Sequence, residues 1–178
     1  MDRIYLDWAA TAVPDTYIHN IMYNTALSSF GNPSSQHDTG ESSSELLQKA
    51  RTLFAESIDA DSEHIFFTSG GTESNNLVLL PLLKKKTPGR LLIGPTEHSS
   101  VYEPAKMLSN LNVPVDIVPS TLNGTLNLDK LEQTLTEDTR MVSVMAVNNE
   151  TGVIQPLQEI IEIIRAAEKR FGTSIHIH

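Results

Sequence analysis

The chain has 178 residues, 39% apolar and 20% charged, the make-up of an ordinary globular domain long enough to bury a real core. A formal charge of -9 argues against a nucleic-acid or anionic-membrane surface, both of which need clustered Lys and Arg. The absence of cysteine excludes disulfides, thiolate metal sites and a thiol nucleophile from these residues.

Residues 1–7 show no cationic flank leading into an apolar stretch, so no secretory signal is read there. No apolar run approaches the length of a membrane span, and the expectation is a cytoplasmic chain. Residues 15–28 read as a helix. Residues 31–40, rich in Gly, Ser, Asn and Pro, read as a loop. A helix follows over 41–58, with Leu46, Leu47, Ala50, Leu53, Phe54 and Ile58 on one face. His64–Thr68 is a β-prone run and is expected to form the first strand. Ser69-Gly70-Gly71-Thr72 then leads into a helix over 73–83. The run Lys84-Lys85-Lys86 after it reads as solvated cations at the helix C-terminus.

Arg90–Gly94 is a second strand, with Pro95-Thr96-Glu97-His98 and a helix near 100–110 after it. Val113–Val118 is a third strand, Asn123-Gly124 a turn, and 129–137 a short helix. Met141–Val147 is a fourth strand, followed by Asn148-Asn149-Glu150-Thr151-Gly152. Pro156 opens a strongly amphipathic helix in which Leu157, Ile160, Ile161, Ile164, Ala167 and Phe171 share a face. Ser174–His178 begins a fifth strand. A parallel strand is normally followed by a crossover, so the expectation is a portion of a longer chain. The alternation predicts an α/β fold, a three-layer α/β/α sandwich on a parallel sheet, whose strand order the sequence does not reveal.

In open parallel sheets, ligands bind outside the carboxyl ends of the strands. Three predicted loops leave those ends with unusual polar residues: 69–72, 96–98 and 148–150. Gly70 and Gly71 would let backbone approach a ligand, and the following helix start offers free N–H groups to an anion. Thr72 could add a hydroxyl, or act only as a helix cap. His98 could stack on a ring or move a proton, or simply bond backbone. Asn149 could donate to a ring oxygen or phosphate, or serve only as a turn residue. His176 and His178 share a strand face but lack partners at ligand spacing, so no metal site is expected.

As an ordered set these residues are recognisable. Tyr5-Leu6-Asp7 with Ala9-Ala10-Thr11, Phe30–Ser35 with His37 and Gly40, Phe67–Asn76, Glu97-His98, and Val147–Gly152 with Gln155 resemble the class V pyridoxal-phosphate enzymes, specifically cysteine desulfurases. The resemblance covers nearly the whole chain. It implies the fold-type I architecture, with 1–14 as an N-terminal segment and 15–178 as an incomplete cofactor-binding large domain. It implies pyridoxal 5'-phosphate, a homodimer, and removal of sulfur from L-cysteine to leave L-alanine and an enzyme persulfide. The sulfur would pass to an acceptor or iron–sulfur scaffold protein, or to a thiolation pathway.

The resemblance also implies roles. Gly71 and Thr72 would bind the cofactor phosphate. His98 would stack on the pyridine ring and assist proton transfer, and Asn149 would bond the ring's phenolate oxygen. Trp8 stands where the family often has Asn or Tyr, and Ala146 where some members carry His. The pyridinium-pairing Asp, the Schiff-base Lys and the persulfide-forming Cys would come at or beyond the fifth strand, so these residues alone are expected to be inactive. Selenocysteine lyase, aminotransferase and a non-catalytic truncated subunit stand as alternatives. The Asn-Pro-Ser-Ser and Asn-Asn-Glu-Thr-Gly segments favour the desulfurase.

Overall fold

Most helix starts among the described residues are set by side chains that accept from otherwise unpaired amides. In the computed structural model, which describes residues 4–84 and 89–178, Asp15 accepts from the amides of Tyr17 and Ile18 and opens α1 (Thr16–Ser28). His37 caps α2 (Asp38–Ser57) by accepting from the Gly40 amide through Nδ1 at 3.3 Å. α2 therefore starts three residues before the predicted 41. Gly40 fits inside its first turn because a Cβ there would lie 2.5 Å from the Ser35 carbonyl oxygen.

The chain divides into two compact units, one up to Phe67 and the other Thr68–His178. In the first, Arg51 on α2 donates to the Ile65 carbonyl at 3.0 Å, and its guanidinium lies 5.9 Å from the Phe67 ring. The predicted strand His64–Thr68 is not formed. Ser62–His64 is a single 3-10 turn capped by Asp61, and residues 65–68 run on without a pairing strand among the described residues. A β-prone run becomes a strand only when a neighbour takes its backbone groups. Here a side chain takes the Ile65 carbonyl, and Phe66 stays 79% exposed.

The second unit carries four parallel strands. In chain order it comprises α3 (Gly71–Leu79), a 3-10 turn over Leu80–Lys84, β1 (Arg90–Ile93), α4 (Ser99–Asn110) and β2 (Val115–Ile117). It continues with α5 (Leu128–Thr134), β3 (Thr139–Ser143), α6 (Leu157–Phe171) and β4 (His176–Ile177). The reading of Lys84–Lys86 as helix-end cations falls largely outside the described residues. The sheet order is β2-β1-β3-β4, with every pairing parallel. Because side chains alternate along a strand, the sheet feeds two cores. Leu92 and Val142 pack with Leu131, Ile160, Ile164 and Ile175 on the α5–α6 side. Leu91, Ile93 and Met141 pack with Leu79, Val101 and Leu108 on the α3–α4 side. These are the three layers expected, helices on both faces of one parallel sheet.

β3 ends at Ser143 rather than Val147. The Val144 amide still bonds the His178 carbonyl at 2.9 Å, but the Met145 amide goes to the Glu97 carboxylate and leaves the ladder. Beyond it Val147 pairs antiparallel with Ile154. No helix among the described residues is long and apolar enough to cross a membrane.

Candidate functional site

β1 and β3 are parallel neighbours, so their carboxyl ends and the loops leaving them share one edge of the sheet. Three contacts tie those loops together. The Gly94 amide donates to the Ser143 carbonyl at 3.0 Å. The Met145 amide donates to Glu97 Oε1 at 2.6 Å. Asn148 Nδ2 donates to the Thr96 carbonyl at 3.1 Å, while Asn148 Oδ1 accepts from the amides of Glu150 and Thr151 and from the Thr151 hydroxyl. Burial raises the Glu97 carboxyl above the ordinary range, against the opposing pull of the Met145 amide. A Cβ at Gly94 would lie 2.9 Å from Glu97 Oε1, so any larger residue there would push that carboxylate aside.

α3, like α6, begins without a side-chain cap. Its cap is Gly70, and no side chain bonds its free amides. The first backbone bond runs from the Ser74 amide to the Gly70 carbonyl at 3.2 Å, so the amides before it have no partner within the helix. A Cβ built at Gly70 or Gly71 would meet nothing within 4 Å, which leaves the approach open. Glu73 turns back, accepting from the Ser69 amide at 2.6 Å and hydroxyl at 2.7 Å, and those bonds hold its carboxyl below the ordinary range. Free amides at a helix start, with the positive end of its dipole and the Thr72 hydroxyl beside them, suit a phosphate.

His98 caps α4. Its Nδ1 accepts from the Ser100 amide at 3.1 Å and lies 2.8 Å from the Ser100 hydroxyl oxygen. That hydroxyl in turn accepts from Asn75 Nδ2 at 2.7 Å, which links the α4 start to the first turns of α3. A cleft of about 340 Å³ opens here, lined by Asn75, Glu97, His98, Ser143, Met145 and His178 among others. His178 Nδ1 lies 2.9 Å from the Ser143 hydroxyl, and burial lowers the imidazole's affinity for a proton.

The residues singled out from sequence thus fall on two helix starts and one loop. Gly71 and Thr72 open α3, and His98 caps α4. Asn149 follows the clamped Asn148, whose amide reaches the Thr96 carbonyl two residues before His98. All four are exposed. His98 lines the cleft, whereas Gly71, Thr72 and Asn149 do not. Sequence reasoning assigned no role to Asn75 or Glu97, although both stand in the motifs it quoted, and it passed over Ser100. The available signal was the polar run Thr96–Ser100 at a predicted helix start, where a side chain at the cap position commonly serves the amide two residues on.

The chain matches the family described as Aminotransferase class-V over residues 4–171. It is 40% identical over 173 residues to the mitochondrial cysteine desulfurase of Candida albicans, covering 96% of this chain and 36% of that protein. Among solved structures it superposes on a NifS-like protein with a TM-score of 0.87 and 33% identity, over 95% of this chain and 46% of the other. SspA in complex with cysteine superposes with a TM-score of 0.83 and 26% identity, over 97% and 49%. The chain therefore spans less than half the length of these relatives. With its parallel α/β sheet and a family match running through all its helices, it belongs to the aminotransferase class-V family of pyridoxal-phosphate-dependent enzymes.

Proposed function

We propose that this chain is the cofactor-cradling part of a cysteine desulfurase, which takes sulfur from L-cysteine and leaves L-alanine. The observation that carries the reading is the uncapped, open start of α3 joined through Asn75 and Ser100 to His98 beside a cleft at the sheet's carboxyl edge. The cysteine desulfurase name of the C. albicans relative and the cysteine-bound SspA structure support this substrate.

In this reading the Gly71 and Thr72 amides and the Thr72 hydroxyl hold the cofactor phosphate, since they are the donors that no side chain of the helix start occupies. His98 would lie beside the cofactor and hold or move a proton for the substrate. Asn149 donates its amide to the ring oxygen. The clamps from Glu97 to Met145 and from Asn148 to Thr96 hold the two loops at fixed separation. When bound, pyridoxal 5'-phosphate supplies an electron sink for bonds broken at the substrate's carbons. The sulfur moves to a thiol, forming a persulfide as the carbon–sulfur bond breaks. Because the 178 residues contain no cysteine, that thiol comes from outside them.

Lys49, Lys106, Lys130 and Lys169 sit on α2, α4, α5 and α6, Lys84 ends the 3-10 turn, and among the described residues no lysine lines the cleft. This supports a cofactor-anchoring lysine supplied from elsewhere, and the 178 residues alone do not turn over. The active form is a homodimer that passes sulfur to an acceptor protein of iron–sulfur assembly or thiolation.

The test is cysteine-dependent formation of alanine and, with a reducing thiol, of sulfide by the protein loaded with pyridoxal 5'-phosphate. Stoichiometric alanine and sulfide are expected once the missing thiol and lysine are present, with none from the 178 residues alone. Alanine formed only from a keto acid and an amino donor would overturn the reading in favour of amino transfer.

A further inference from the structure

The bonds around His98 fix more than the ring's place. Its Nδ1 accepts from the Ser100 backbone amide at 3.1 Å, and a backbone amide can only donate. The Ser100 oxygen lies 2.8 Å from the same nitrogen and already accepts from Asn75 Nδ2 at 2.7 Å, so its own hydrogen is free to go to Nδ1. Ser100 is buried, which holds the hydroxyl in this arrangement. A hydrogen on Nδ1 would be set against the Ser100 N–H and would break the cap of α4.

We propose that Asn75 and Ser100 are positioning residues that lock His98 in the tautomer with hydrogen on Nε2, through a one-way relay from the Asn75 amide to the Ser100 hydroxyl to Nδ1. The proposal rests on the reading of His98 as the residue that faces the cofactor. It adds which nitrogen carries the hydrogen and which two side chains decide it. The direction of the relay is set at α3, the helix whose start is assigned to the phosphate. Displacing that helix start would disturb the imidazole through Asn75, the α3 side chain that among the described residues bonds Ser100. The general rule is that the partner of one ring nitrogen decides the state of the other.

The test is two-bond ¹H–¹⁵N correlation of the imidazole rings in the protein labelled with ¹⁵N-histidine, without cofactor or substrate. The His98 signals are assigned by their loss in His98→Gln. The expected spectrum shows His98 with an unprotonated Nδ1 and a protonated Nε2. Asn75→Asp, nearly the same shape, introduces an acceptor that draws the Ser100 hydrogen away from Nδ1. It should lower the ratio of Nε2–H to Nδ1–H about tenfold, the worth of one ordinary hydrogen bond. Ser100→Ala should lower it in the same direction, and His37, which caps α2 through a backbone amide alone, should keep its tautomer in both variants. A wild-type ring with hydrogen on Nδ1, or a ratio unchanged in both variants, overturns the relay. Because the measurement needs no cofactor, it is independent of the cysteine turnover that decides the functional reading.

Discussion

Glu97 is a carboxylate held where water is scarce, with one backbone amide for company. Burial raises its folded pKa above the ordinary 4.5, so the neutral form is favoured in the fold. The stability it contributes is therefore fully present below the unfolded value near 4.5 and is lost as pH rises through the higher folded value. Glu97→Gln keeps an acceptor for the Met145 amide and removes the charge. The variant should gain on the wild type as pH goes from 4 to 7, read as the difference between urea midpoints at the two values. A difference that does not change with pH would show that the carboxyl is not held against its charge. Beside it, Asn148 spends its side chain on Thr96, Glu150 and Thr151, while Asn149 stays exposed.

At the level of elements, α6 shows how periodicity becomes packing. Its apolar positions recur at helical spacing, and Ile160 and Ile164 are fully buried against Leu92 and Val142, while Ile161 keeps 37% of its surface. Ile164→Ala should cost about 2–5 kcal/mol, because it leaves a cavity in a packed core. Ile161→Ala should cost well under half as much, and chemical denaturation of the two variants checks the ratio. The helix stops at Gly172, whose φ of 63° lies in the left-handed region that glycine enters without a Cβ penalty. α1 is the contrasting case. It is capped as well as any helix here, yet buries none of its residues within its unit.

For the whole molecule, uncovered apolar side chains matter more than net charge. Tyr17, Ile18, Ile21, Met22, Tyr23 and Leu27 on α1 all remain exposed, and Phe66 and Phe67 lie on a run with no pairing strand among the described residues. Groups of this kind mark surfaces that bind something or associate. The 178-residue chain should therefore bind a hydrophobic fluorescent dye strongly, and replacing Ile21 and Met22 together with Gln should remove a substantial part of that signal. Unchanged dye fluorescence in the double variant would show that α1 is covered in solution.

The sequence by itself determined the helices, the parallel α/β architecture and the residues that form the two helix starts. Those features follow from local rules: apolar spacing, cap residues and glycine at backbone that must stay open. It misjudged His64–Thr68 and the end of β3, because whether a β-prone run becomes a strand depends on a distant partner for its amides. Strand order, the Asn148–Thr96 clamp and the Asn75–Ser100–His98 relay were decided only by tertiary structure. The Asn75–Ser100 and Asn148–Thr96 links join residues 25 and 52 positions apart, separations at which local pattern carries no information about contact, whereas the His98–Ser100 link spans only two. The identities of Gly71, Thr72, His98 and Asn149 could be read along the chain. That His98 alone of the four lines the cleft, and the bonds its Nδ1 makes, follow from the packing of α3, α4 and the sheet edge.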